Sequence, residues 1–187
     1  PHGMKPRGEM GIFGRLMGTA EEKMNFQYFF FNTYPGYFLQ MVPFAAAVGL
    51  FIGLRKKHVF SGLLAAYLTG LVGVTLLLRV IGLLYYWIFY QQPGGRVWFF
   101  EWTYDFVPDF WNHFSGENLA NMLMFVPFGI LYPLATKKSF RKTVIAGLIL
   151  ILSIEFLQPV FGRSFDINDV ILNLAGVIFS AGIFRLI

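Results

Sequence analysis

Three carboxylates, four carboxamides and two arginines stand out in a chain where polar side chains are scarce. Glu155 and Gln158 lie one helical turn apart. Asp166, Asp169 and Asn173 follow at spacings of three and four, which puts them on one stripe of a helix. Asn118 and Asn121 form a third group, Arg163 falls between the Glu155 and Asp169 groups, and Arg79 stands far upstream. Glu155 and Asp169 have the chemistry of acid/base groups, or of oxygen ligands for a cation, a divalent cation included. Arg79 and Arg163 suit bidentate recognition of phosphate. Each residue also has a plainer reading. Glu155, Asp169, Arg79 and Arg163 can form an ion-pair network that fixes helix register, and Asp166 can cap a helix whose first turn Asp169 complements. Asn121 and Asn173 can be interhelical hydrogen bonds, worth about 0.6 kcal/mol each.

The elements that position these residues follow from composition. Of 187 residues, 56% are hydrophobic, 19% aromatic and only 13% charged, against about 25% charged in a soluble domain. The mean hydropathy is +0.58. Such a chain is an integral membrane protein, and its net charge of +5 concerns orientation rather than nucleic acid. The absence of Cys excludes disulfides and thiolate chemistry. No HExxH, GxSxG, P-loop or Gly-rich dinucleotide motif occurs. Pro1-His2-Gly3 before Met4 reads as a scar of tag removal, and no cleavable signal peptide is expected.

A helix needs about 20 mainly apolar residues to cross a hydrocarbon core. Five segments meet or nearly meet this, the fourth being short: Tyr37 to Leu54, Val59 to Tyr90, Asn118 to Ala135, Thr143 to Gln158 and Ile167 to Ile187. The expected fold is an all-α, polytopic transmembrane helical bundle. Its organisation is an interfacial segment over 4–36, two spans over 37–90, an aromatic outer loop over 91–116 and a three-span core over 117–187. Gly49 and Gly53, then Gly62, Ala66 and Gly70, recur at spacings that permit close approach of the first two spans. The basic loops Arg55-Lys56-Lys57-His58 and Lys137 to Lys142 are expected in the cytoplasm. The loops holding Glu101, Asp105, Asp109 and Glu117, and Arg163 with Asp166, are expected outside, giving an N-out, C-in chain. A helix over Gly8–Phe31, with Ile12, Phe13, Leu16 and Met17 on one side, can lie in the interface with its basic residues.

With that orientation Glu155 lies about 18 Å from the inner end of its span. Asn121, Gln158, Arg163, Asp169, Asn173 and Arg79 share its layer. A charged group at the bilayer centre costs about 2.5–3.5 kcal/mol, so such residues pair or line a polar cavity. A layer built from four segments implies a cavity open to the outside. Pro127 frees the Leu123 carbonyl to join its lining, or else simply kinks the third span. Aromatic side chains between Val97 and Phe114 either rest among lipid head groups or form a stacking lid. His113 with Asp109 and Ser115 offers weak support for a nucleophile.

The C-terminal half resembles the VanZ-like family, named for a protein associated with teicoplanin resistance. The residues that carry the resemblance are Asn118 or Asn121, Phe125-Val126-Pro127-Phe128-Gly129, Glu155-Phe156-Leu157-Gln158, Arg163-Ser164-Phe165-Asp166-Ile167-Asn168-Asp169 and Asn173-Leu174-Ala175-Gly176, over residues 114 to 184. The resemblance implies a small multispan protein of the bacterial cytoplasmic membrane acting at the cell envelope. It carries no mechanism to individual residues. Three functions stay open. One is recognition of a membrane lipid, a lipid-linked cell-wall precursor or a lipoglycopeptide by Arg79, Arg163 and hydrogen-bonding carboxylates and amides. Another is a hydrolase or transferase using Glu155 and Asp169. The third is a small transporter or flippase, against which the polar residues thin out toward the cytoplasm.

Overall fold

A computed structural model describes residues 20–91, 99–100, 102–112 and 114–186. Five helical stretches are long and apolar enough to cross a membrane: Pro35–Lys56, Val59–Tyr90, Gly116–Thr136, Phe140–Phe161 and Ile167–Leu186. The protein is an all-α polytopic membrane protein. Its side chains agree with that solvent: Leu50, Leu54, Ile149 and Phe179 are among many large apolar groups left exposed, as lipid contact allows. The fourth span is longer than the apolar run alone suggests. It starts at Phe140 and continues through a 3-10 turn to Phe161.

Among the described residues, those up to Leu39 and those from Gln40 form separate compact units. In the first, helix α1 (Ala20–Asn32) stacks Phe26 on Phe30. The Thr33 hydroxyl donates to the Phe29 carbonyl where α1 gives way to α2 (Tyr34–Lys56). Part of the proposed interfacial helix, including Ile12, Phe13, Leu16 and Met17, lies outside the described residues, as does Pro1-His2-Gly3.

In the second unit, α2 closes at Lys57, whose φ of 49° ends the helix. His58 then starts α3 (Val59–Val72) by accepting the Ser61 N–H at its Nδ1. Such a short connection makes α2 and α3 antiparallel neighbours. The predicted small-residue contact is there: a Cβ on Gly49 would lie 2.7 Å from the Ala66 Cβ, and one on Gly62 would lie 2.8 Å from the Gly49 carbonyl oxygen. A π turn at Gly73–Leu77 follows, then α4 (Leu78–Tyr90).

The third span is two helices, α5 (Gly116–Met124) and α6 (Val126–Thr136), divided at Phe125. Pro127 causes the break, and the span kinks there as one of the two expectations had it. The Phe125 N–H turns to the Leu123 carbonyl, and the Met124 carbonyl accepts the Tyr67 hydroxyl at 3.0 Å. The proline therefore makes a kink sealed by a neighbouring helix. Next comes α7 (Phe140–Leu157), and after a short reversal α8 (Ile167–Leu186).

Helix α8 is the hub, packed against α5, α6 and α7. In a bilayer, helices associate by close packing rather than by hydrophobic exclusion from water, so small residues mark the contacts. A Cβ on Gly176 would fall 2.1 Å from the Met122 carbonyl oxygen, and one on Gly129 would fall 2.8 Å from the Val177 carbonyl oxygen. Phe125, Ile151 and Val177 fill the core around them. Gly176→Ala should therefore lower the thermal unfolding midpoint in detergent, at a cost of about 1–3 kcal/mol. Gly182→Ala, where a Cβ meets nothing within 4 Å, should leave the midpoint unchanged or raise it slightly.

Candidate functional site

Helix α7 ends in a tight reversal. The 3-10 turn Gln158–Phe161 runs into Gly162, whose φ of 75° suits a residue without a Cβ. The Arg163 N–H returns to the Gln158 carbonyl at 3.0 Å. The reversal places the start of α8 beside the end of α7; it brings Glu155, Asp166 and Asp169 within Coulombic reach of one another, and the first and last of them within reach of Arg163.

Each carboxyl is held by an amide. The Gln158 Nε2 donates to Glu155 Oε1 at 3.0 Å. The Asn121 Nδ2, from α5, donates to Asp169 Oδ1. The Asn168 backbone N–H donates to Asp166 Oδ1 at 2.7 Å, so Asp166 does cap α8. No ion pair joins Glu155 or Asp169 to an arginine among the described residues. The Arg163 Nη1 donates instead to the Thr75 carbonyl at 3.2 Å. That carbonyl belongs to the π turn, whose widened winding departs from regular α-helical pairing.

Depth grades the cluster. Glu155, Gln158 and Asn173 are 1%, 2% and 3% exposed, Asp166 and Asp169 are half-buried, and Arg163 is exposed. Two acceptors in the buried layer have no hydrogen-bond partner, Glu155 Oε2 and Asn173 Oδ1. Asn173 sits four residues beyond Asp169 and so on its face of α8, one turn deeper. Among the described residues no three acidic or histidine side chains gather as a metal site.

Two residues with matching spacing make no hydrogen bond to Glu155 or Asp169 among the described residues. The Asn118 side chain accepts from the Ser115 hydroxyl at 2.6 Å and belongs to the cap of α5. Arg79 is exposed on α4, and Arg163 is the arginine whose charge reaches Glu155 and Asp169. The π turn between α3 and α4 shifts the azimuth of every later residue, which spacing cannot show.

Asn168, Asp109 and Thr75 take parts that the spacing did not indicate. The segment carrying Tyr104 pairs with the start of α8: β1 (Tyr104–Asp105) runs parallel to β2 (Phe165–Asp166). The Asn168 Oδ1 then accepts the Asp109 and Phe110 N–H groups at 2.9 and 3.2 Å, and its Nδ2 donates to Asp109 Oδ1 at 3.0 Å. Phe106 and Phe156 close on Phe165, with ring centroids 5.1 and 5.3 Å away. The aromatic segment is thus fastened to the site, although Tyr104, Phe106 and Trp111 keep exposed rings. His113 lies outside the described residues, as do Trp98 and Glu101. Asn168→Ala removes all three side-chain bonds, each worth about 0.5–1.5 kcal/mol. Amide hydrogen exchange over 104–112 should accelerate at least tenfold, while that of α6 should not change.

A comparison with protein families finds a match to the one described as VanZ/LLP1 over residues 64–187. The match covers more than half of the chain and reaches further toward the N-terminus than the motif residues, so it takes in Thr75 and the π turn. Comparison with curated proteins and with solved structures finds no match. The described part of the site lies wholly within the matched residues, and the chain belongs to the VanZ/LLP1 family, whose link in general is to glycopeptide resistance.

Proposed function

We propose that this protein recognises a phosphate or carboxylate in the head group of an amphiphile at the Arg163 end of its bundle, facing the outside of the cytoplasmic membrane. The amphiphile is a membrane lipid, a lipid-linked cell-wall precursor or a lipoglycopeptide such as teicoplanin. The state of Arg163 carries this reading. Its guanidinium is exposed and steered by the Thr75 carbonyl, yet it forms no ion pair with the carboxyls near it. A guanidinium has five donors in a fixed fork, so the bond to Thr75 leaves most of them for a phosphate or carboxylate. Glu155, Gln158 and Asn173 supply a polar floor beneath it, and Arg79 adds positive charge from α4.

The opposite end of the bundle supports the orientation. Arg55, Lys56, Lys57, Lys137, Lys138, Arg141 and Lys142 are all exposed there, the distribution expected of cytoplasmic loops. The chain has no cysteine, so single-cysteine variants report sidedness cleanly. In intact cells a membrane-impermeant maleimide should label Ser164→Cys and spare Lys138→Cys until the membrane is opened. The reverse pattern would turn the site inward.

Binding itself is measurable by native mass spectrometry of the purified protein with phosphatidylglycerol and phosphatidylethanolamine. Arg163→Ala should weaken retention of phosphate-bearing lipid by about 10- to 100-fold, the worth of charge-assisted hydrogen bonds. Arg163→Lys should restore part of it, because it keeps the charge without the fork. Arg79→Ala should show a smaller loss. Unchanged affinity in folded Arg163→Ala would remove the reading. Turnover of a lipid-linked substrate that Glu155→Gln abolishes without loss of binding would make the site a hydrolase or transferase.

A further inference from the structure

The charges around Arg163 restrict what the site can hold. Three carboxyls, Glu155, Asp166 and Asp169, lie within Coulombic reach of one another at the α7–α8 reversal, and Glu117 also acts on Asp169. Among the described residues, Arg163 is the cation that acts on both Glu155 and Asp169. A ligand that brought only a phosphate to Arg163 would be opposed by whatever negative charge these carboxyls carry, whereas a cation would be drawn to it.

Hydrogen bonding points the same way. The donors that reach the carboxyls are carboxamides and backbone N–H groups, each engaging one oxygen. The Asp166 N–H also faces the Glu155 carboxyl. What remains is acceptor capacity: Glu155 Oε2 and Asn173 Oδ1 are both buried and both without a hydrogen-bond partner. Asn173 lies outside the acidic trio, on the Asp169 face of α8 and one turn deeper. Unfilled acceptors under a rim of carboxyls call for a group that brings several donors and positive charge. A primary ammonium has three N–H donors and no acceptor.

Building on the recognition reading above, we propose that the ligand is zwitterionic, with its phosphate held by Arg163 and its primary ammonium held by Asp169, Glu155 and Asn173, as in an aminoalkyl phosphate head group. Asp169 stands at the half-buried level and meets the ammonium first. Glu155 and Asn173 receive its remaining donors beneath. The chemistry selects against lipids whose head groups are anionic throughout, which repel the carboxyls. It also selects against head groups whose nitrogen has been acylated, which lose the charge and two of the donors.

The wild-type protein tests this without any substitution. Purified in detergent, it is titrated with phosphatidylethanolamine, N-acetyl phosphatidylethanolamine and phosphatidylglycerol of matched acyl chains, and bound lipid is read by native mass spectrometry. Phosphatidylethanolamine should be retained at least tenfold more tightly than either of the others. Asp169→Asn and Glu155→Gln should shrink that preference to twofold or less, with unfolding midpoints recorded to show that the variants are folded. Free phosphoethanolamine separates two sources of the same chemistry. Competition at concentrations similar to those of the lipid would support the zwitterionic site with a soluble ligand, and competition only at far higher concentrations would support it with a lipid. Equal retention of all three lipids, with Arg163→Ala weakening each, would overturn the ammonium proposal and leave anion recognition standing. Retention of every lipid unaffected by Arg163→Ala would overturn both.

Discussion

Inside a bilayer, a polar group that finds no partner in the protein finds none in the solvent, and this requirement organises the molecule. Its simplest form is the hydroxyl that bonds the carbonyl four residues before it, as Thr69, Thr75, Thr136, Ser153 and Ser180 do. The Tyr67 hydroxyl serves the break at Phe125 in the same way, from another helix. At the α7–α8 reversal, carboxamides answer carboxyls side by side, and Arg163 answers a backbone carbonyl. Against this background two buried acceptors without partners are conspicuous, because nearly every other polar group around them is accounted for.

Much of the fold is legible from hydropathy, because a span is defined by the length and apolarity of a single stretch. The all-α class, the five spans and the glycine contact between α2 and α3 follow from such local properties. The site is partly legible. The stripe of Asp166, Asp169 and Asn173 depends only on regular winding after a good cap, and α8 winds regularly. The turn separating Glu155 from Gln158 is equally regular, and their side chains do meet.

What spacing hides is choice of partner. Asn118 and Asn121 have the same periodic claim, but Ser115 captures the first, and only the second reaches Asp169. Arg79 and Arg163 have the same chemistry, but a π turn intervenes before Arg79, and no propensity in Gly73–Leu77 announces it. Asn168 was visible between Asp166 and Asp169. Its role as the fastening for Asp109 and Phe110 depends on a segment almost sixty residues away in the chain. An ion-pair network was a reasonable expectation from composition, and the molecule uses amides where the arginines were expected.

The position of α8 in the chain has a consequence for biosynthesis. The helix on which α5, α6 and α7 all pack is synthesised after them. As the chain emerges, Gly129 and Gly147 present notches with nothing to fill them, and Asn121 and Glu155 enter the membrane before the residues of the reversal that complete their surroundings. Until that helix inserts, the earlier ones have only the contacts they make with one another, such as the Tyr67 hydroxyl on the Met124 carbonyl. A chain stopped before Asp169 lacks the helix on which the three preceding helices converge.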